Sequence, residues 1–265
     1  MEHKYIVALL ITLIAGMSTL LGGFLTFFVK KDSLKVLSVG LGFSGGMMIF
    51  VSLNELLVQS NKYLLPAYPN RAGLIAFLMF FIGVGIAILI DYFIPDHIES
   101  DLLLQNSESS KHQLQLRHIK RAGVVTAIAV AIHNFPEGIA NFFVSSQDIT
   151  VGIPLAIAIA IHNIPEGIAV ALPIYHAVKK KRTAIWYSFL SGISEPLGAI
   201  IGFIFLRNYL NITTLGILFA IISGIMVYIS IDTLLPMARE YGENHHVVIG
   251  VMLGMFVIGL SLVLF

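Results

Sequence analysis

The sequence of 265 residues contains no cysteine and few charged residues, which make up 12% of the chain. Without cysteine the protein can form neither a disulfide nor a thiolate metal site, so any sulfur ligand must come from its nine methionines. Apolar residues make up 57% of the chain, and the mean hydropathy is +0.89. This composition excludes an ordinary soluble domain. The net charge of +1 indicates neither a nucleic acid nor an acidic partner.

Long apolar runs fill most of the chain and predict eight membrane-spanning helices. The predicted spans cover residues 5–29, 34–57, 72–94, 123–144, 151–175, 184–206, 210–235 and 247–265. The one long polar stretch, residues 96–121, separates the third and fourth spans and predicts a loop. We therefore expect a single integral membrane domain over residues 1–265, all-α in fold class.

Basic residues in the connections predict how the spans are oriented. With eight spans, both termini lie on one side of the membrane together with four basic residues. The other side carries twelve basic residues and includes the loop 96–121. Because basic residues concentrate on the cytoplasmic side, we expect the termini outside and the loop in the cytoplasm.

Two internal repeats organise the chain. The phrase AIAVAIHNFPEGIA at residues 127–140 recurs 29 residues later as AIAIAIHNIPEGIA. More faintly, residues 46–57 resemble residues 224–235, and residues 16–23 resemble residues 192–199. Spans one to three therefore resemble spans six to eight, with the twin spans four and five between them. Since five spans separate the matched copies, the copies cross the membrane in opposite directions. This 3+2+3 inverted repeat is typical of secondary transporters, whose binding site lies near the midplane.

The twin phrase carries the side chains that predict a metal site. Each copy places a histidine and a glutamate four residues apart, on one face of its helix. Ionisable groups at membrane depth are costly, so they indicate function. Asparagines beside the histidines and a glutamate in the sixth span add oxygen donors. The candidate ligands are His133, Asn134, Glu137, His162, Asn163, Glu166 and Glu195.

Nitrogen and oxygen donors of this kind suit Zn²⁺, Fe²⁺, Mn²⁺ or Co²⁺. Three carboxylates close together in a low dielectric need a compensating cation. Two divalent ions bridged by Glu137 and Glu166 would meet that need. Pro136, Pro165 and Pro196 lie beside these ligands, and we expect each to break its helix because proline lacks an N–H donor.

Other polar residues leave their roles open. Four of them lie near span ends, where they are either interfacial or part of a pathway: Asn54, Glu55, Asp91 and Asp232. Three histidines lie in or beside the loop, where they either capture metal or are simply solvated: His97, His112 and His118.

The segments HNFPEG, HNIPEG and SGISEPLG resemble the fourth, fifth and sixth spans of the ZIP (Zrt/Irt-like) divalent metal transporters, most closely the bacterial ZupT-type branch. The similarity runs through nearly all of the chain. It implies eight spans in a three-two-three arrangement, termini outside, a bacterial inner membrane, transport into the cytoplasm and, in many members, a homodimer.

The resemblance also implies a binuclear metal site made of the seven ligands above. It adds a methionine ligand from the second span, for which Met48 is the best match and Met47 a close rival. The implied cargo is Zn²⁺, with Fe²⁺, Mn²⁺, Co²⁺ or Cd²⁺ as further candidates. The implied partners are the metal ions and the lipid bilayer, without nucleic acid and without a catalytic cofactor.

Two functions other than metal uptake are compatible with parts of the sequence. An intramembrane metalloenzyme is conceivable because a dinuclear site can activate water. However, no HExxH motif is present, and ligands on broken helices within an inverted repeat suit a route better than a fixed active site. A non-transporting metal sensor would need an output domain, for which the short loops leave no room. The sequence therefore predicts a metal uptake carrier and not an enzyme.

Overall fold

The computed structural model describes residues 2–28, 34–93, 108–206, 209 and 211–264, and within these ranges every regular element is helical. Eight of the helical segments in this part of the chain are long and apolar enough to cross a membrane. The predicted fold class, an all-α membrane protein with eight spans, is therefore confirmed.

Within the described residues ten α-helices build the eight spans, because the second and seventh spans each consist of two α-helices joined by a π-helical turn. The helices are α1 Glu2–Leu25, α2 Leu34–Val51, α3 Leu57–Leu64, α4 Ala72–Phe93, α5 Glu108–Gln147, α6 Ile149–Val178, α7 Lys181–Ile201, α8 Ile212–Ile229, α9 Leu235–Glu240 and α10 Asn244–Leu264.

The predicted loop 96–121 is wrong over its second half. Residues 108–121 form the first turns of α5, so His112 and His118 lie on a helix. These turns are rich in Lys, Arg, Gln and Leu, which are good helix formers but lower the hydropathy average, so an apolar window misses them. The rest of the predicted loop, including Asp96 and His97, lies outside the described residues.

The inverted repeat is visible in the backbone. The π-helical turn Ser52–Leu56 in the second span has its counterpart in the turn Ser230–Leu234 of the seventh. In both places the serine hydroxyl donates to the carbonyl four residues earlier, Ser52 to Met48 and Ser230 to Met226. Such hydroxyl bonds compete with the regular helix ladder and accompany local irregularity. The two halves therefore share a local deviation as well as a sequence pattern.

Helix packing follows the same symmetry. The packing of α1 on α6 and of α2 on α10 is matched by the packing of α7 on α5 and of α8 on α4. Gly16 of α1 and Gly192 of α7 abut each other's backbone carbonyls, so the pseudo-twofold axis passes between these two residues. The predicted 3+2+3 arrangement follows, with α5 and α6 packed together between the two halves.

The outer helices carry the apolar surface. Large apolar side chains on α4 and α10, among them Phe77, Phe81 and Phe256, are more than half exposed. In contrast, His133 and Glu137 of α5 and His162 and Glu166 of α6 are buried. Apolar groups outside and ionisable groups inside is the arrangement expected for a bundle surrounded by lipid.

Candidate metal centre

The helices that carry the candidate ligands run through their prolines. Pro136 lies inside α5, Pro165 inside α6 and Pro196 inside α7, and each helix continues on both sides. The expected helix breaks are therefore wrong. Each proline removes a single N–H donor, and the packing of α5, α6 and α7 on one another and on α1 keeps the neighbouring turns helical.

The histidines and glutamates pair across the two helices. His133 Nε2 of α5 lies 3.1 Å from Glu166 Oε1 of α6, and His162 Nε2 of α6 lies 3.1 Å from Glu137 Oε1 of α5. All four side chains are buried. The i, i+4 spacing correctly predicts a common face for each pair, but each histidine contacts the glutamate of the other copy.

A second contact orients each imidazole. His133 Nδ1 lies 3.1 Å from the carbonyl oxygen of Ala129, and His162 Nδ1 lies 3.0 Å from that of Ala158. Since a carbonyl only accepts, each ring carries its proton on Nδ1 when neutral and leaves Nε2 free to bind a cation.

Four oxygens around these pairs have no hydrogen-bond partner although they are buried. They are Asn134 Oδ1, Glu137 Oε2, Asn163 Oδ1 and Glu166 Oε2. A buried oxygen without a partner costs free energy, so such a group needs an explanation. Four such oxygens, with two imidazole nitrogens beside them, form a donor set that fits Zn²⁺ and similar divalent ions.

Backbone carbonyls fix how the asparagine amides point. Asn134 Nδ2 donates to Ser191 O at 3.3 Å, and Asn163 Nδ2 donates to Ala15 O at 3.0 Å. The amide nitrogens therefore face α7 and α1, and the amide oxygens remain for a cation.

Glu195 joins the centre from α7 and is fully buried. Its Oε2 accepts from Asn163 Nδ2 at 2.9 Å, and its Oε1 accepts from Asn141 Nδ2 at 3.3 Å. Gly138 permits this approach of α5 and α7, because any side chain at that position would overlap the Glu195 carbonyl.

Asn141 is a residue that our sequence analysis missed. It lies one turn beyond Glu137, and the matching position of the second copy, 29 residues later, is Val170. The difference between a polar residue in one copy and an apolar residue at the equivalent position of the other could have identified Asn141 from the sequence.

Met48 is buried together with Met47 and Met226 in the largest apolar cluster of the described residues. Because Met47 and Met48 are equally buried, burial does not choose between them, and the methionine ligand stays a prediction.

The ligands are not yet arranged as a coordination sphere. Among the described residues no three His, Asp or Glu side chains converge on one point. Instead, each imidazole Nε2 faces a carboxylate oxygen of the other helix at 3.1 Å. A cation that entered would replace these contacts by coordination.

Two clefts related by the repeat reach toward the centre from opposite ends of the bundle. One is about 250 Å³ and is lined by Glu55, Gln59, Ala158 and Ser261, among others. The other is about 20 Å³, and its lining includes Asp91, Ala129, Tyr228 and Thr233. The carbonyls of Ala158 and Ala129 are those that orient the two imidazoles, so each cleft is lined by a residue that contacts one of the histidines.

Comparison with known proteins places these features in a wider group. The family model described as ZIP Zinc transporter matches residues 96–262. The chain is 45% identical to the zinc transporter ZupT of Clostridium perfringens, over 99% of this chain and 97% of that protein. It is 46% identical to that of Campylobacter jejuni, over 98% and 97%, and 44% identical to that of Streptococcus mutans, over all of both chains.

Proposed function

Since the chain belongs to the ZIP family of zinc transporters, and is a divalent metal cation transporter that takes up zinc, we propose that its metal route runs through the centre between α5, α6 and α7. The relatives are transporters by name, so we do not retain a metalloenzyme or a sensor as the function.

The observation that carries this proposal is the set of four buried oxygens without hydrogen-bond partners, flanked by two His–Glu pairs. One metal ion binds His133, His162 and the two glutamates of α5 and α6. The second binds Asn134, Asn163, the same two glutamates and Glu195. Met48 is the methionine ligand in this proposal. Glu137 and Glu166 bridge the two ions, which neutralises carboxylates that would otherwise repel each other.

The two clefts supply the route. The wider cleft lies at the end of the bundle where Asp148 connects α5 to α6, and the distribution of basic residues predicts that this end faces the outside of the cell. Glu55 lies on the wall of this entrance, and Asp91 on the wall of the narrow cleft at the opposite, cytoplasmic end. The structure then corresponds to a state open to the outside. If the two halves exchanged their packing arrangements, the outer cleft would close and the inner cleft would open.

The remaining details follow from the donor set and the surface. Nitrogen and oxygen ligands accommodate Fe²⁺, Mn²⁺, Co²⁺ and Cd²⁺ besides Zn²⁺. The protein resides in the bacterial inner membrane, and its apolar outer face on α4 and α10 contacts lipid, with part of it available for a homodimer contact.

Equilibrium zinc binding to the purified protein tests the site. Glu137→Gln removes one bridging carboxylate and should weaken binding by more than the roughly 10–100-fold that loss of an outer-shell partner costs. Glu243→Gln is the matched control, because Glu243 is an exposed carboxylate between α9 and α10. Unchanged zinc affinity in Glu137→Gln would refute the assignment of the site.

A further inference from the structure

We propose that Asn141 is a positioning residue that holds Glu195 in the orientation required by the second metal ion. The inference rests on the proposed function, because it takes Glu195 as a ligand of that ion. Asn141 itself is not a ligand in this proposal.

The contacts of the Asn141 amide favour an indirect role over coordination. Its nitrogen donates to Glu195 Oε1 at 3.3 Å, and its oxygen accepts from Ser145 Oγ at 3.4 Å. Both polar ends of the side chain are therefore occupied. In contrast, the Asn163 amide oxygen has no partner and is free to bind a metal ion. The two asparagines that touch Glu195 thus differ in what they can do.

The two amides together fix the plane of the carboxylate. Asn163 donates to Oε2 and Asn141 to Oε1, so each oxygen of Glu195 has one donor. Asn141 is therefore one of the two donors that anchor Glu195. Partners of this kind orient a ligand without touching the metal.

The inverted repeat supplies an independent argument. Gly138 packs against the carbonyl of Glu195, and its twin Gly167 packs in the same way against the carbonyl of Thr19. Thr19 therefore stands where Glu195 stands in the other half. In the second copy of the twin phrase, whose Gly167 packs on Thr19, the residue that corresponds to Asn141 is Val170.

The two halves therefore differ at two corresponding positions at once. The half with the glutamate carries the amide, and the half with the threonine carries valine, although Asn141 and Val170 are both fully buried. A buried amide is costly without a partner, so its presence only opposite Glu195 indicates that Glu195 is the reason for it.

The experiment measures the affinity of the second zinc ion on the purified full-length protein. Asn141→Leu keeps the size of the side chain and removes the donor, and we expect it to weaken the second ion roughly tenfold to a hundredfold while the first changes little. Ser145→Ala frees the amide without touching Glu195 and should weaken the second ion less, in the same direction. Val170→Ala is the matched control at the twin position and should leave both affinities unchanged.

A double-mutant cycle separates positioning from a general effect on folding. In a Glu195→Gln background the effect of Asn141→Leu should disappear, because the carboxylate that it orients is gone. An undiminished effect in that background would overturn the proposal, as would wild-type affinity of the second ion in Asn141→Leu. Failure of the proposed function looks different: Glu137→Gln would then bind zinc like the wild type.

Discussion

Replacing Gly138 by alanine should disable the centre without changing any ligand. Gly138 lies on α5 against the backbone carbonyl of Glu195, and an added Cβ would overlap that oxygen. Neither atom is the flexible end of a side chain, so α5 and α7 must move apart. Overpacking of this kind costs about 1–3 kcal/mol. The higher helix propensity of alanine returns up to about 1 kcal/mol, so the net loss of stability is modest.

Transport should suffer more than stability in this variant. Separation of α5 from α7 carries Glu195 away from Asn141 of α5, which lies 3.3 Å from its carboxylate. Since loss of a single orienting partner costs roughly 10–100-fold, we expect zinc uptake to fall at least tenfold. Uptake into liposomes and the melting temperature should be measured on the same preparations.

Two other glycines provide matched controls for this prediction. A Cβ at Gly40 on α2 or at Gly85 on α4 would meet nothing within 4 Å. Gly40→Ala and Gly85→Ala should therefore keep full uptake and melt at the same or a higher temperature. The reasoning would be refuted if Gly138→Ala transported zinc as well as these two variants.

Three further predictions address the second span, the orientation and the connection between α5 and α6. Met48→Leu should alter zinc affinity in equilibrium binding, whereas Met47→Leu, equally buried, should not; the reverse result would assign the ligand to Met47. Because the chain has no native cysteine, Ser261→Cys should react with an impermeant maleimide added to whole cells, and Thr233→Cys only in inside-out vesicles; reaction with the opposite sidedness would invert the topology. Asp148 caps α6 by accepting from Thr150 N at 2.9 Å and Thr150 Oγ1 at 2.7 Å, and these bonds hold the pKa of its carboxyl below the ordinary 3.8. A lowered pKa means that the ionised carboxylate stabilises the fold at pH values above 3.8, so Asp148→Ala should lower the melting temperature at pH 7. The difference from wild type should shrink as the pH falls through the lowered pKa, and a difference independent of pH would contradict the cap.

Much of the fold follows from the sequence because its signals are local. Apolar runs predict the eight spans, and the matched segments around Ser52 and Ser230 predict the inverted repeat, which the two π-helical turns then display. The start of α5 at Glu108 was not predictable from hydropathy, since its first turns are polar and are helical through propensity.

The centre is less predictable because its contacts are not local. Spacing places His133 and Glu137 on one face of α5. Only the packing of α5 on α6, however, brings His133 into contact with Glu166. Likewise, Pro136 predicts a lost hydrogen bond, whereas the neighbouring helices decide that α5 continues through it. The role of Asn141 depends on a residue 54 positions away, which no helical periodicity relates to it.

Zinc uptake into liposomes that contain a zinc-sensitive dye tests the central claim most directly, with wild type, Glu166→Gln and the exposed-carboxylate control Glu243→Gln compared at equal protein. We predict inward flux for the wild type and the control, and loss of flux in Glu166→Gln, because Glu166 bridges the two metal ions and pairs with His133. Flux in Glu166→Gln equal to that of the wild type would contradict a route through the centre between α5, α6 and α7.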